Sequence, residues 1–249
     1  MTALIFDVDG TLAETERDGH RIAFNQAFAE AGLDWSWSES FYGQLLSISG
    51  GKERIQYYMR HYLADDRGFN PEFIQKLHRA KNYHYRQLLE AGKIPLRPGV
   101  KRFLQEANEA GIPLAIATTS SLENTRALLE THLGTTAYFC AIAAGDVVPN
   151  KKPAPDIYHY VLDCLNINPN QGLVFEDSQA GLTAASAAGL KTVITTNAYT
   201  AHQDFSEAVL VLNHLGEPDQ PFTIYRSLVP SYCYETYFNL ALAQRLLAH

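Results

Sequence analysis

The chain has 249 residues, of which 46% are hydrophobic and 19% charged, which is typical of a globular protein with a sizeable buried core. Its formal net charge of −7 argues against a nucleic-acid partner, because binding a polyanion requires a basic surface. No apolar run approaches the ~20 residues that a membrane-spanning helix requires, so we expect no membrane partner.

The N-terminal sequence and the cysteines predict a cytoplasmic protein. The sequence MTALIFD passes directly into a predicted strand, without a charged leader or a cleavage site, which argues against export. The three cysteines, Cys140, Cys164 and Cys233, are widely spaced and form neither a CxxC pair nor a zinc-binding pattern. Separate cysteines in an odd number are expected of reduced thiols.

Short apolar runs predict the parallel strands of an α/β fold. Each run is followed by polar or small residues and then by a helical pattern, which indicates a sheet with helices on both faces. Residues 138–148 are expected to supply a further strand. The other predicted strands are Ala3–Phe6, Leu114–Ala117, Leu173–Phe175 and Thr192–Ile194.

The long interval after the first strand, from Glu14 to Gly92, reads as several amphipathic helices. Two prolines in IPLRPG, residues 94–99, stiffen the return of the chain. We therefore predict a Rossmann-like parallel-sheet core formed by residues 1–14 and 96–249, and an inserted α-helical domain formed by residues 15–95. The Tyr-rich tail after Pro221 ends in a helical pattern, and we expect it to pack against the core without assigning it a function.

Two carboxylates, Asp7 and Asp9, follow the first predicted strand. Residues two apart on a strand share one face, and two neighbouring anions repel unless a cation or a shared proton separates them. The pair therefore suits a hard cation, with one carboxylate available as a nucleophile. The alternative is an ordinary polar turn at Asp9-Gly10.

Polar groups also follow the later strands, where ligands of parallel sheets bind. Individually these residues have structural alternatives: Thr118 and the Glu176-Asp177 pair suit helix caps, and Lys152 suits an exposed loop. Together with Asp7 and Asp9, they supply the groups that phosphoryl transfer requires. The residues are Thr118, Thr119, Ser120, Lys152, Glu176 and Asp177.

Each group has a role in such chemistry. The carboxylates would hold Mg²⁺, and the metal with Lys152 would neutralise a phosphate that otherwise repels Asp7. Hydroxyls and helix N-terminal N–H groups would bind the remaining phosphate oxygens. Asp7 is then the nucleophile that forms an aspartyl phosphate, and Asp9 is the general acid and base.

The segments DVDGTL, the Thr after the second strand, KKPAPDIY and FEDS stand in the order and spacing of the four motifs of the haloacid dehalogenase (HAD) superfamily, which the chain resembles over nearly its whole length. The resemblance implies the HAD fold, with the helical insert as a mobile cap domain. It implies that Thr118 and Lys152 bind phosphate. The implied magnesium ligands are Asp7, the backbone carbonyl of Asp9, Asp177 and, directly or through water, Glu176.

Asp9 favours the phosphatase and phosphomutase branches, because dehalogenases and phosphonatases of the superfamily lack an aspartate there. The segments DWSWSESFYGQLLSISGGKERI and LHRAK, with AETE and His20, resemble the CbbY type of xylulose-1,5-bisphosphate phosphatase, which removes an inhibitory by-product of Rubisco. The ERDGH stretch differs by one residue from that type.

The insert carries most of the candidate substrate-binding residues. Gly51, Lys52 and Arg54 could begin a helix that holds a second phosphate, or could be an exposed charge run. Glu16 and His20, about one helical turn apart, could bind sugar hydroxyls. The predicted substrate-binding residues are Glu16, His20, Tyr42, Gly51, Lys52, Arg54, Lys81, Thr119 and Ser120.

The leading hypothesis is a monomeric Mg²⁺-dependent phosphatase that acts on a small sugar phosphate, namely xylulose 1,5-bisphosphate, and releases xylulose 5-phosphate. A β-phosphoglucomutase-like sugar phosphomutase is the alternative, because it would use the same core and no motif reports the lifetime of the aspartyl phosphate. A phosphosugar-binding protein without turnover is a third hypothesis, against which the intact catalytic set argues.

Overall fold

The computed structural model describes residues 3–48, 50–63, 70–228 and 235–248. The chain divides into two compact units. Residues Met1–Glu14 and Pro95–His249 form one, which we call the sheet unit, and Thr15–Ile94 form the other, the helical unit. None of the helices in the described ranges is long and apolar enough to cross a membrane.

The helical unit begins with a π-helical stretch, Thr15–His20, where the sequence predicted the start of an ordinary helix. Ser38 caps one of the following helices by accepting a hydrogen bond from the Phe41 backbone N–H, and Asn70 caps another through the Glu72 N–H. The helices of this unit are α1 (Arg21–Glu30), α2 (Glu39–Leu45), α3 (Gly51–Tyr62) and α4 (Pro71–Glu90).

A mostly parallel sheet forms the centre of the sheet unit and confirms the predicted α/β fold. Its strand order is 3-2-1-4-5-6-7 among the described residues, and only the last strand is antiparallel to its neighbour. The strands are β1 (Ala3–Phe6), β2 (Leu114–Thr118), β3 (Phe139–Ala144), β4 (Gly172–Glu176), β5 (Lys191–Thr195), β6 (Leu210–Leu212) and β7 (Ile224–Ser227).

The first five strands agree with the sequence patterns, whereas β6 and β7 were not predicted. The β6 strand has three residues, and β7 is a mostly exposed edge strand, so neither shows a long apolar run. The helices of the sheet unit are α5 (Val100–Glu109), α6 (Leu122–Leu133), α7 (Asp156–Leu165), α8 (Gln179–Ala187) and α9 (Leu240–Ala248).

Alternate residues of the central strands pack into separate apolar clusters. Ile5 and Val174 belong to a cluster that includes side chains of α7 and α8. Their chain neighbours Phe6 and Phe175 stack with ring centroids 4.6 Å apart. Phe238 completes that aromatic cluster, with its ring centroid 5.2 Å from that of Phe175. The sheet is thus buried on both faces, and part of the C-terminal tail packs on the core, as expected.

We expect Phe238→Ala to lower the free energy of unfolding by about 3–5 kcal/mol, because Phe238 is fully buried among aromatic rings. The matched control is Tyr225→Ala on the edge strand β7, where the side chain is 62% exposed and the change should stay within about 0.5 kcal/mol. Urea denaturation measures both variants, and equal losses would contradict a core role for Phe238.

Candidate active site

The candidate active site lies at the carboxyl ends of three neighbouring strands. In the sheet, β1 lies between β2 and β4. Asp7 follows β1, Thr118 ends β2, and Glu176 ends β4. Because parallel strands end at the same edge of the sheet, these side chains come together although they are far apart in sequence.

Lys152 is buried between two carboxylates, and its side chain is only 6% exposed. The ammonium donates to Asp7 Oδ1 at 2.7 Å, to Glu176 Oε1 at 2.6 Å and to the Ala117 carbonyl at 2.8 Å. The three N–H groups of the ammonium are therefore all used. Lys152 is not an exposed loop cation, which was the structural alternative.

The Glu176 carboxylate is held on both of its oxygens. Tyr158 donates its hydroxyl to Oε1 at 3.0 Å, while Oε2 accepts from the Asp177 backbone N–H at 3.0 Å and from the Ser178 hydroxyl at 3.1 Å. A Cβ atom at Gly181 would overlap this carboxylate. Ser178 caps α8, so Glu176 and Asp177 do not have the capping role that was their alternative.

Asp177 has a partner that the sequence interpretation missed. Its Oδ2 accepts a hydrogen bond of 2.7 Å from Asn197 Nδ2. Gly10, with φ of +84°, lies so close that a Cβ atom there would collide with both side chains. Asn197 lies two residues after the end of β5, so its place after a strand is the sequence signal for its role.

The carboxylate cluster suits a divalent cation. One oxygen from each of Asp7, Glu176 and Asp177 lies within 4.8 Å of the others, and all three residues are buried. Burial raises the pKa of Asp7 to about 8; Lys152 opposes this rise, and the Glu176 and Asp9 carboxylates add to it. Burial, then Glu176 and Asp7, raise the pKa of Asp177 well above its usual value. An all-oxygen cluster with this excess of negative charge fits a hard cation.

The excess of negative charge also acts on Lys152. Burial lowers the pKa of the ammonium, but Asp7 and Glu176 raise it by more, so that it lies well above its ordinary value. Lys152 is therefore a permanent cation at neutral pH.

One of the hydroxyl residues at the end of β2 contacts Asp9. Ser120 donates its hydroxyl to Asp9 Oδ2 at 2.5 Å, and its backbone N–H donates to Thr118 Oγ1 at 3.1 Å. Thr119 is exposed. Ser121, rather than Thr118, caps α6. The structure thus brings Ser120 to Asp9 and leaves Thr118 buried at the end of its strand.

Three predicted residues of the helical unit form one connected group. Tyr42 donates its hydroxyl to Glu16 Oε2 at 2.6 Å, and Arg54 donates to the Tyr42 hydroxyl oxygen at 2.7 Å. The guanidinium also donates to the carbonyls of Leu45 at 3.1 Å and Ile48 at 3.3 Å. Arg54 therefore braces the Tyr42–Glu16 pair from inside the unit.

A second group joins His20 and Lys81. The Lys81 ammonium lies 2.8 Å from His20 Nδ1, and the His20 ring stacks on Tyr85. Burial, then the cations Lys81 and Arg54, lower the pKa of His20 well below its usual value. A neutral His20 can accept from the Lys81 ammonium through Nδ1.

His78 was not among the predicted residues, although it lies in the quoted LHRAK segment. A Cβ atom at Gly51, the first residue of α3, would approach His78 Nε2 to 2.8 Å. Burial, then Lys81 and Lys52, lower the pKa of His78 to about 4. Lys52 itself is exposed. Gly51, Lys52 and Lys81 therefore lie around one imidazole at the start of α3.

Comparison with known proteins identifies the family. The haloacid dehalogenase-like hydrolase family matches residues 1–189. The chain belongs to this family. Its classification confirms the resemblance drawn from the motifs, and this haloacid dehalogenase-like hydrolase is a phosphoric monoester hydrolase.

Relatives of this hydrolase include proteins of the CbbY type. It is 49% identical to the plasmid-encoded protein CbbY of Cupriavidus necator over 225 residues, which is 89% of this chain and 88% of that protein. It resembles CbbY of Rhodobacter sphaeroides, solved with phosphate and, as a mutant, with xylulose-(1,5)-bisphosphate, at 44% identity and a TM-score of 0.75, over 86% of this chain and 94% of that chain. A putative β-phosphoglucomutase from Thermotoga maritima is less similar, at 28% identity and a TM-score of 0.67, over 85% of this chain and 94% of that chain.

Removing the Lys81 charge should raise the pKa of His20, because Lys81 disfavours the imidazolium. Because folding lowers the pKa of His20, the unfolded chain binds a proton more readily, and the free energy of unfolding decreases as the pH falls below about 6.5. Lys81→Met should make this decrease smaller. NMR titration of the His20 ring measures the shift. Lys76→Met, at an exposed position of the same helix, is the control and should leave the pKa of His20 unchanged. An unshifted pKa in Lys81→Met would contradict the coupling.

Proposed function

We propose that the chain is a magnesium-dependent phosphatase that converts xylulose 1,5-bisphosphate to xylulose 5-phosphate. The observation that carries the proposal is the similarity to CbbY of Rhodobacter sphaeroides, whose mutant was solved with that bisphosphate. The buried Asp7–Lys152–Glu176 cluster, at the carboxyl ends of β1 and β4, supports phosphoryl chemistry. In this proposal residues 1–14 and 96–249 are the catalytic core, and residues 15–95 are the cap domain.

The proposed reaction uses two aspartates in turn. Asp7 attacks phosphorus and forms an aspartyl phosphate, while the bond to the sugar oxygen breaks and that oxygen takes a proton from Asp9. Asp9 then takes a proton from water as the water oxygen attacks phosphorus, which releases phosphate and regenerates both carboxyl groups. Ser120 holds Asp9 through its hydrogen bond. In the proposal Thr118 and Lys152 bind phosphoryl oxygens, for which the Lys152 ammonium exchanges one of its three present hydrogen bonds for the phosphate.

Magnesium is the proposed cofactor, and the chain offers oxygen ligands for it. We assign Asp7, Asp177 and the backbone carbonyl of Asp9 as ligands. Glu176 lies beside them, but its oxygens already accept hydrogen bonds from Lys152, Tyr158 and Ser178. When bound, the ion would neutralise the carboxylates and the phosphate oxygens.

The helical unit would select the substrate. We assign Lys52 and Lys81, with the N-terminus of α3 at Gly51, to the phosphate that is not cleaved. Glu16 and His20 would bind sugar hydroxyls. Arg54 acts in this proposal through Tyr42, because its guanidinium already donates to the Tyr42 hydroxyl and two backbone carbonyls.

The alternative is a β-phosphoglucomutase-like phosphomutase, which the weaker similarity to the Thermotoga maritima protein favours less. The two activities are separated by measuring phosphate release from xylulose 1,5-bisphosphate beside isomerisation of β-glucose 1-phosphate. Isomerisation without phosphate release would overturn the phosphatase proposal. We further propose a cytoplasmic location, which the free thiols at Cys140 and Cys164 support, and a monomeric state.

We expect Asp7→Asn to abolish phosphate release while leaving the fold intact, because the amide keeps the size of the side chain but cannot attack phosphorus. Phosphate release from the bisphosphate measures the loss, and circular dichroism checks the fold. Activity above about a thousandth of the wild-type value would contradict the nucleophile assignment, since enzymes typically accelerate reactions ~10⁶-fold or more.

Lys52→Met should lower kcat/KM for the bisphosphate by about tenfold to a hundredfold, as expected for the loss of a charge-assisted contact of roughly 1.5–3 kcal/mol. The variant should leave turnover of p-nitrophenyl phosphate nearly unchanged, since that ester has no second phosphate. Lys76→Met serves as the control on the same unit. Equal losses on both substrates would show that Lys52 does not bind the second phosphate.

A further inference from the structure

Arg97 is a buried cation that the motifs leave unexplained. It lies in IPLRPG and is 6% exposed. Its guanidinium donates to the Thr195 carbonyl at 2.8 Å, the Thr196 carbonyl at 2.5 Å and the Asn213 carbonyl at 2.6 Å, and also to the Gly10 carbonyl. Its Nε lies 3.0 Å from Glu14 Oε1.

These acceptors adjoin two parts of the candidate active site. Gly10 follows Asp9 directly, and Thr196 precedes Asn197, which donates to Asp177. One side chain therefore holds the backbone beside Asp9 and the backbone beside the partner of Asp177. An Arg is suited to this position because its planar guanidinium presents five N–H donors in a fixed geometry, whereas a Lys has three on a single nitrogen.

We propose that Arg97 is a positioning residue, which fixes the Gly10 peptide and the segment around Thr196 so that the Asp9 carbonyl and the Asp177 carboxylate keep the arrangement needed to bind a cation. The inference rests on the proposed magnesium-dependent function. A misplacement of about 1 Å in such a site can lower the rate by ~10²-fold, even when the changed residue does not touch the substrate.

The competing explanation is that Arg97 only stabilises the fold. Arg102 offers a control in the same unit, because its partly buried guanidinium also donates to backbone carbonyls and pairs with a glutamate. It donates to the Gly216 carbonyl at 3.0 Å and the Phe238 carbonyl at 2.8 Å, and pairs with Glu217 at 3.1 Å. None of these three partners is a predicted site residue.

The test compares Arg97→Met, Arg97→Lys and Arg102→Met. Urea denaturation gives their stability, isothermal titration calorimetry gives their affinity for Mg²⁺, and p-nitrophenyl phosphate with saturating Mg²⁺ gives kcat and KM. We expect Arg97→Met to lower kcat by ~10²-fold and to weaken Mg²⁺ binding, with Arg97→Lys intermediate. Arg102→Met should lose stability while retaining kcat and Mg²⁺ affinity. If Arg97→Met fails to fold, the kcat and the Mg²⁺ affinity of Arg97→Lys test the inference instead.

Two results would overturn the inference while the proposed function stands. In the first, the Arg97 variants keep wild-type kcat and Mg²⁺ affinity. In the second, Arg102→Met loses kcat and Mg²⁺ affinity to the same extent, so that the effect follows stability alone. A wild-type protein that neither binds Mg²⁺ nor releases phosphate would overturn the proposed function, and the inference with it.

Discussion

The candidate site depends on one buried ammonium group placed between two carboxylates. Without Lys152, the anions Asp7 and Glu176 would face each other at the edge of an otherwise apolar sheet, and a buried charge without a partner is strongly destabilising. Much of the surrounding structure fixes this contact. Tyr158 and Ser178 hold the Glu176 carboxylate, and the absence of a side chain at Gly181 leaves space for it. The contact in turn keeps Asp7 beside a cation.

The sequence predicted the site to the extent that its residues follow recognisable strands. Asp7 and Glu176 stand next to apolar runs, and the parallel arrangement of β1 and β4 brings them together. The strands β6 and β7 were missed because they are short or exposed. Asn197 was missed because an Asn after a strand is also typical of an ordinary turn. The carbonyl groups that accept from the Arg97 guanidinium lie 87 or more residues from it in sequence, and no local pattern reports such contacts.

The helical unit shows a different limit of sequence interpretation. Periodicity predicted an ordinary helix containing Glu16 and His20, but Thr15–His20 is π-helical. A π-helical turn holds more residues than an α-helical turn, because its hydrogen bonds span five residues instead of four. From this stretch Glu16 contacts Tyr42 and His20 contacts Lys81, and helical periodicity alone reveals neither contact.

Charge is distributed unevenly, and the distribution bears on specificity. A net charge of −7 would repel a sugar bisphosphate if it were spread evenly over the surface. Instead, the sheet unit concentrates carboxylates around Lys152, whereas in the helical unit Lys81 and Arg54 lower the pKa of His20, and Lys81 and Lys52 lower that of His78. In the proposed reaction the sheet-unit groups act on the phosphoryl group, which all phosphate esters share. Discrimination among sugar phosphates must then come from groups that bind the rest of the substrate, and in the proposal these are the cations and hydrogen-bonding side chains of the helical unit.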